Sequence, residues 1–415
     1  MQLDTKFDLY LRKAPTVQEI TDDGDVIYND DAGPWELKQT GHNLTVNQGL
    51  DGYFNGAVNA WGSLGQAIAL GTGTQATEAA LLSNVTLAVT TSGGNFSFDA
   101  GQVIGSNANN RVTIVGLDGS SNLCKFQGRV LSAVGNVWTC EYEAIVGPAI
   151  AGTYTATDVR LFYTTRTGLQ TQVVQSTTQV SGENFVTWDA VNFRLNVQRS
   201  ILFGIEVTNM VYNEVGWRVS VAGVFTGIAV LPTGFSVPIG YQAKTIVNFY
   251  HNYDQTSHQA VANFNSGVDM SGTFAITSSN IADSLFWTNN STLLPAATGG
   301  AATASTIACG NFLTSNFTLP AQFSNPSAPI GAPVALTAIN QQTYTNGSGR
   351  RAYNLVIGPA AQTGTTFYGI VLNGSNTGGY SCPSAILKFT TPFVKPANYT
   401  LMAQFTRRVL PKLLT

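Results

Sequence analysis

At 415 residues the chain has room for two or three domains with sizeable cores. Only 10% of its residues are charged, against about 25% in ordinary soluble domains, yet 44% are hydrophobic and 10% aromatic, which excludes a disordered chain. No apolar run approaches the ~18 residues of a spanning helix, and the net charge is −3. Thr, Ser, Asn, Gln and Gly fill the polar positions, a composition of neutral β-structure in an oligomer or an extracellular setting rather than of a cytosolic enzyme. No Lys or Arg occurs between Lys244 and Arg350, which argues against DNA or RNA as a partner, because such binding rests on basic groups that release counterions from phosphates.

The N-terminus, MQLDTKFDLYLRKAP, has no basic region followed by an apolar one, so no secretory signal is expected. Residues 1–42 read as an arm. Phe7, Leu9 and Leu11 alternate with polar neighbours as a strand would, until Pro15 breaks the pattern. The stretch TDDGDVIYNDDAGP then gathers Asp22, Asp23, Asp25, Asp30 and Asp31. Clustered carboxylates suit calcium, but the regular spacing of a calcium loop is missing, and Asp-Gly and Asn-Asp are turn formers. An acidic hairpin is the preferred reading.

Asn47 stands where a helix N-cap would, and Leu50, Tyr53, Phe54, Ala57 and Val58 follow as an apolar stripe of about three turns. Gly49, Gly52 and Gly56 weaken that helix by roughly 1 kcal/mol each relative to Ala, so tertiary packing must hold it. Ala67 to Leu70 reads as a buried strand entering Gly71-Thr72-Gly73-Thr74, a turn that wants positive φ. From Leu81 to Tyr253 strand signals such as VTLAVTT, RVTIVGL, NVWTCEYEAIV and TIVNFYHNY recur every eight to twelve residues between Gly-rich turns. That spacing suits a β-sandwich rather than βαβ units. Within it, Tyr212-Asn213-Glu214-Val215-Gly216-Trp217 reads as a strand with a glycine kink. Glu214 among apolar neighbours needs a partner, either Arg218 or backbone donors.

After Tyr253 the texture changes. LLPAATGGAATASTIACGNF is close to low complexity, and Pro326, Pro329 and Pro333 favour extended backbone. Strands return at AYNLVIG, TTFYGIVLNG, AILKFTTPFV and YTLMAQFT. The expected fold is therefore mainly β: two antiparallel sandwich-like domains, at 43–253 and 254–415, with one short N-terminal helix and long loops.

Three histidines offer little for chemistry. His251 and His258 flank Asp254, but a separation of seven puts them on opposite faces of a strand, and His42 stands apart. Cys124, Cys140, Cys309 and Cys382 are too widely spaced for a zinc knuckle. Cys124 and Cys140 can meet across a hairpin, although buried free thiols are the preferred reading. No nucleophile elbow, phosphate loop or dinucleotide glycine pattern occurs, so no catalytic group, cofactor or metal is assigned.

Asn47-x-Gly49-Leu50, then Gly71-Thr-Gly73-Thr, then Asn213-Glu214-Val215-Gly216 follow one another in a fixed order. With the closing Phe389-Thr-Thr-Pro-Phe-Val-Lys395, Tyr399-Thr-Leu and Arg407-Arg408, this order resembles bacteriophage tail proteins of the tail-fibre and receptor-binding class. The resemblance covers about a quarter of the chain. It implies a virion component made in the host cytoplasm, located in the tail and serving assembly or host attachment, with other virion proteins, copies of itself and a bacterial receptor or glycan as partners. It supplies no catalytic residue. Members of the class that degrade glycans use carboxylate pairs about 5–9 Å apart, and Glu141 with Glu143, or Glu183 with Asp189, are residues of the right kind. A carbohydrate-binding module would instead show an aromatic groove, for which Trp287, Tyr344, Tyr353 and Tyr368 are candidates, and a capsid or decoration protein is a third reading. Asp22, Asp23 and Asp25 near one end, with Arg407 and Arg408 near the other, mark both ends as candidate contact elements.

Overall fold

Leu3, Thr5, Phe7, Leu9 and Leu11 occupy alternate positions, and all five are buried in the strand Gln2–Lys13. The computed structural model describes residues 2–23, 25–55, 64–92, 95–101, 108–146, 152–189, 194–220, 222–252, 258–264, 269–276, 311–316, 338–341, 347–348, 350–375, 381–408 and 410–413. The first strand is no arm. It runs antiparallel to Tyr241–Asn252 along its whole length, with Gln2 opposite Asn252 and Lys13 opposite Tyr241. The cause is plain: a free arm would leave four large apolar side chains in water, each worth about 1.5–3 kcal/mol when buried.

The protein is mainly β, and its sheets are built almost wholly from antiparallel pairs. One sheet of the sandwich carries Arg194–Ile205, Tyr241–Asn252 and Gln2–Lys13 at its centre; the other orders Gln172–Ser176, Ala67–Gly71, Met210–Arg218, Phe225–Val237 and Leu44–Thr45. Their inner faces share one core. Trp217 of the second sheet packs edge-on to Phe249 at 6.2 Å and against Phe7 at 6.1 Å, both from the first. Ile68 and Leu70 lie opposite Trp217 and Val215, so the strands flanking the two glycine motifs are neighbours in this core.

Between Ala67–Gly71 and Gln172–Ser176 the chain leaves the sandwich and builds a second unit. Val85–Ser92, Asn95–Asp99, Arg111–Leu117, Leu123–Val134, Val137–Val146 and Gly152–Phe162 close into a six-stranded barrel, since Arg111–Leu117 pairs with both Leu123–Val134 and Gly152–Phe162. Closure removes the sheet edges that a low-charge β-protein otherwise has to protect. Phe96, Phe98, Phe126, Trp138 and Tyr154 fill its interior, and Cys124 and Cys140 are buried there as free thiols. Strand spacing fits sandwich and barrel alike, which is why 43–253 read as one sandwich.

Helix α1, Asn47–Asn55, covers the sandwich's end with Leu50 buried in its core. Tyr53 and Phe54 fall within it, but their side chains, like residues 56–63, lie outside the described ones. The third unit is an eight-stranded sheet running from Asn311–Leu313 to Ala338–Gln341, with Phe312 edge-on to Phe367 at 5.4 Å. Residues 293–310 of the low-complexity stretch and the three prolines lie outside the described residues. From this sheet the C-terminus returns: Leu410–Pro411 pairs in parallel with Gln2–Leu3, and the Lys412 N–H donates to the Leu3 carbonyl at 2.9 Å. The tail thus folds onto its own core instead of reaching outward. Among the described residues no helix is long and apolar enough to cross a membrane.

Leu50 sits where α1 meets the core. Leu50→Ala is expected to remove about 2–5 kcal/mol of stability in denaturant titration. A loss under about 0.5 kcal/mol would show that the helix is peripheral.

Candidate functional site

Two buried ionic joints stand out among the described residues. The first centres on Arg111, at the start of a barrel strand and fully buried. Its Nε donates to both Glu143 carboxylate oxygens at 3.0 and 2.9 Å, and Nη2 lies 2.9 Å from the same group. Nη1 donates to the Asn47 side-chain oxygen and to Thr164 Oγ1 at 3.3 Å, while Nη2 also donates to the Gly347 carbonyl at 3.0 Å. All five guanidinium N–H groups therefore meet acceptors. Those acceptors come from the barrel, its exit, helix α1 and the segment before the C-terminal strand Arg350–Ile357.

Asn47 is no N-cap. Its side chain is used across domains, accepting from Arg111 and donating to the Asn109 carbonyl at 2.9 Å, while the Val46 carbonyl takes the Leu50 N–H. Gly347 completes the joint. Its N–H donates to the Asp51 carboxylate of α1 at 2.5 Å, and its φ of +76° is one that side-chain-bearing residues rarely adopt. Around this core Arg129 pairs with Glu141 at 2.9 Å and donates to Asn109 at 2.6 Å. Gln127 donates to Glu143 at 3.1 Å and to the Pro411 carbonyl at 2.9 Å, tying the C-terminus to the barrel. The carboxylates Glu141 and Glu143 are thus each occupied by an arginine.

The second joint joins the sequence motifs themselves. Glu214 is fully buried in Met210–Arg218, directly opposite Gly71. Its partner is Arg166 at 2.7 Å, aided by the backbone N–H groups of Gln170 and Thr171 at 2.9 and 3.3 Å. Of the two expected partners the backbone donors are present, whereas Arg218 lies 4.0 Å over the Phe225 ring and donates to Gln172. Gly71 and Gly73 have no positive φ, contrary to the turn reading. They are glycines because of close approach: a Cβ at Gly73 would lie 2.5 Å from the Glu214 carboxylate, and one at Gly71 would lie 2.5 Å from the Thr171 carbonyl. Gly216 faces the Phe225 ring and Gly49 the Thr226 backbone in the same manner.

The remaining candidates disperse. Lys395 is buried just after the strand Ser381–Val394, where its ammonium donates to the Pro359 carbonyl at 2.9 Å; burial pushes its pKa down. Glu183 pairs with Lys244 at 2.9 Å and accepts from Ser200 at 2.6 Å. Burial raises its pKa, but these two partners outweigh burial and hold it below the usual range. The side chain of Asp189 lies outside the described residues. Asp22, Asp23 and Asp25 are exposed at a hairpin, Val17–Ile20 with Val26–Tyr28, as the acidic stretch led us to expect. Arg407 and Arg408 fall within the strand Leu401–Arg408. His42 is exposed and 3.4 Å from Asp4, His251 is buried, and His258 begins the strand His258–Phe264, its side chain lying, like Asp254, outside the described residues. Among the described residues no group of three His, Cys, Asp or Glu is placed to hold a metal. Trp287, Tyr344 and Cys309 lie outside the described residues, as do the side chains of Tyr353 and Cys382, and Tyr368 is half-buried.

A cleft of about 760 Å³ opens where sandwich, barrel and C-terminus meet. Asp4 lies between His42 and Lys412, at 3.4 and 3.6 Å, on one wall; Arg160 bridges Glu78 and Asp158, both at 2.7 Å, on another. Asp4, Glu78 and Asp158 thus each have a basic partner on these walls. Reading the sequence missed Arg111, Arg166, Thr164, Gln127 and Gly347. The one available signal was an arginine in an apolar strand, Arg111 at the head of one and Arg129 within another, in a chain so poor in charge. No family of known proteins, no characterised protein and no solved structure matches the chain.

Glu214 and Arg166 make the sharper test of these joints. Arg166→Met is expected to cost about 3–5 kcal/mol, because it strands a buried carboxylate. Adding Glu214→Leu should recover part of that loss in a double-mutant cycle; additive losses would mean the two groups are not coupled.

Proposed function

We propose that the protein is a structural subunit of a tailed-bacteriophage virion, a tail-fibre, tail-tip or baseplate component serving assembly or host attachment, and not an enzyme. The reading rests first on the ordered motifs, Asn47-x-Gly49-Leu50, Gly71-Thr-Gly73-Thr and Asn213-Glu214-Val215-Gly216. The observation that carries it furthest is where those motifs lie. Asn47 joins the helix to the barrel, and Gly71, Gly73 and Glu214 close the second joint. The motif residues therefore work as framework. None of them lines the open cleft. A framework of three β-units with few charges suits a part that is held by neighbours in a large assembly.

The test is made on particles. Virions purified from a host producing the chain should contain it in fixed copy number, with specific antibody labelling the tail. Recovery only in the soluble lysate, with unlabelled infectious particles, would overturn the reading.

A further inference from the structure

The two ionic joints leave the cleft between sandwich, barrel and C-terminus unaccounted for. One wall is the outer face of two paired barrel strands, where register sets Thr113 opposite Arg160 and Val115 opposite Asp158. A second is the strand Gln2–Lys13 with Asp4 and Lys6, and Lys412 enters from the C-terminus. At about 760 Å³ the space falls within the range that small ligands occupy, about 300–1,000 Å³. Its charges cancel. Leaving His42 aside, Lys6, Arg160 and Lys412 stand against Asp4, Glu78 and Asp158, three cations to three carboxylates. A phosphate, a nucleic acid or a bare metal ion finds no excess of opposite charge in such a lining.

Hydrogen-bonding capacity, by contrast, is left over. Arg160 uses Nε on Asp158 and Nη1 on Glu78, so its Nη2 and the second oxygen of each carboxylate have no protein partner among the described residues. The Lys6 ammonium makes no ion pair with a described residue and stands 6.0 Å over the Tyr250 ring. On the barrel wall Thr113 is only 4% exposed, yet its hydroxyl pairs with no described group. Buried hydroxyls are normally hydrogen-bonded, so this one wants a partner in the cleft. Val115, Phe162 and Val230 add apolar patches to the same space. Unused donors and acceptors, fixed by ion pairs and carrying no net charge, match a neutral molecule whose hydroxyls both donate and accept. Charged groups bond such hydroxyls about twice as strongly as neutral ones do. We infer that the cleft binds a neutral, hydroxyl-rich ligand, a short sugar chain. Arg160, Asp158, Glu78 and Lys6 hold its hydroxyls, and Thr113 meets the one set deepest. The inference goes beyond the virion reading and does not rest on it, because it concerns the purified chain alone.

A printed array of neutral and acidic oligosaccharides, probed with the fluorescently labelled full chain, tests it. The wild type should be retained on neutral glycans, and equally at low and high salt, since no ligand charge is there to be screened. Arg160→Met, and separately Lys6→Met, should weaken retention on the same glycan about tenfold, as the loss of one charge-assisted hydrogen bond does. Circular dichroism checks the fold of both variants. Lys6 is exposed and makes no ion pair, so its replacement strands no partner, and Lys6→Met decides alone if Arg160→Met misfolds. Retention on no neutral glycan, a preference for acidic glycans that fades with salt, or variants that bind as the wild type does would each overturn the inference.

Discussion

A guanidinium removed from water has to find an acceptor for every N–H, and Arg111 finds them on four separate pieces of chain. The desolvation of such an ion costs several kcal/mol unless the geometry is complete. Completeness here requires α1 from the sandwich, Glu143 from the barrel, Thr164 at the barrel's exit, and Gly347, 236 residues further along the chain. None of these pieces can move away alone without leaving a buried donor unsatisfied. That constraint turns three β-units into one framework and explains why a glycine with a φ of +76° is required beside Asn47.

Glu214 repeats the arrangement with opposite sign. A buried carboxylate is held by Arg166 and two backbone N–H groups, and the strand next to it narrows to glycine so that the backbone can approach. With so few charges in the chain, Arg111, Arg129, Arg166 and Glu214 are all buried at contacts between elements, and the side chain of Glu143 is only 2% exposed. Their placement favours a single defined arrangement of the units over surface solubility. The role proposed above suits that allocation, because neighbours in an assembly would cover a weakly charged exterior.

The mainly antiparallel β-fold was legible because alternation and turn residues are local signals, and strands such as Gln2–Lys13 and Tyr241–Asn252 show them strongly. Their partners were not legible. The pairing of Gln2–Lys13 with a strand more than two hundred residues away depends on contacts that no window of sequence contains. The closed barrel escaped for the same reason, since closure is set by the pairing of Arg111–Leu117 with Gly152–Phe162, not by strand spacing. Asn47 and the glycine motifs were located, but their roles were misread. Capping and positive φ are what those residues do locally, whereas here the Asn47 side chain and the space beside Gly73 serve groups distant in sequence.

The account turns on the claim that Arg111 couples the units, and hydrogen exchange of the full chain, wild type beside Arg111→Met, tests it most directly. The account predicts that protection falls together in α1 and in the barrel strand Arg111–Leu117, while Tyr241–Asn252 keeps its protection. Loss confined to the barrel strand, with α1 unchanged, would contradict it.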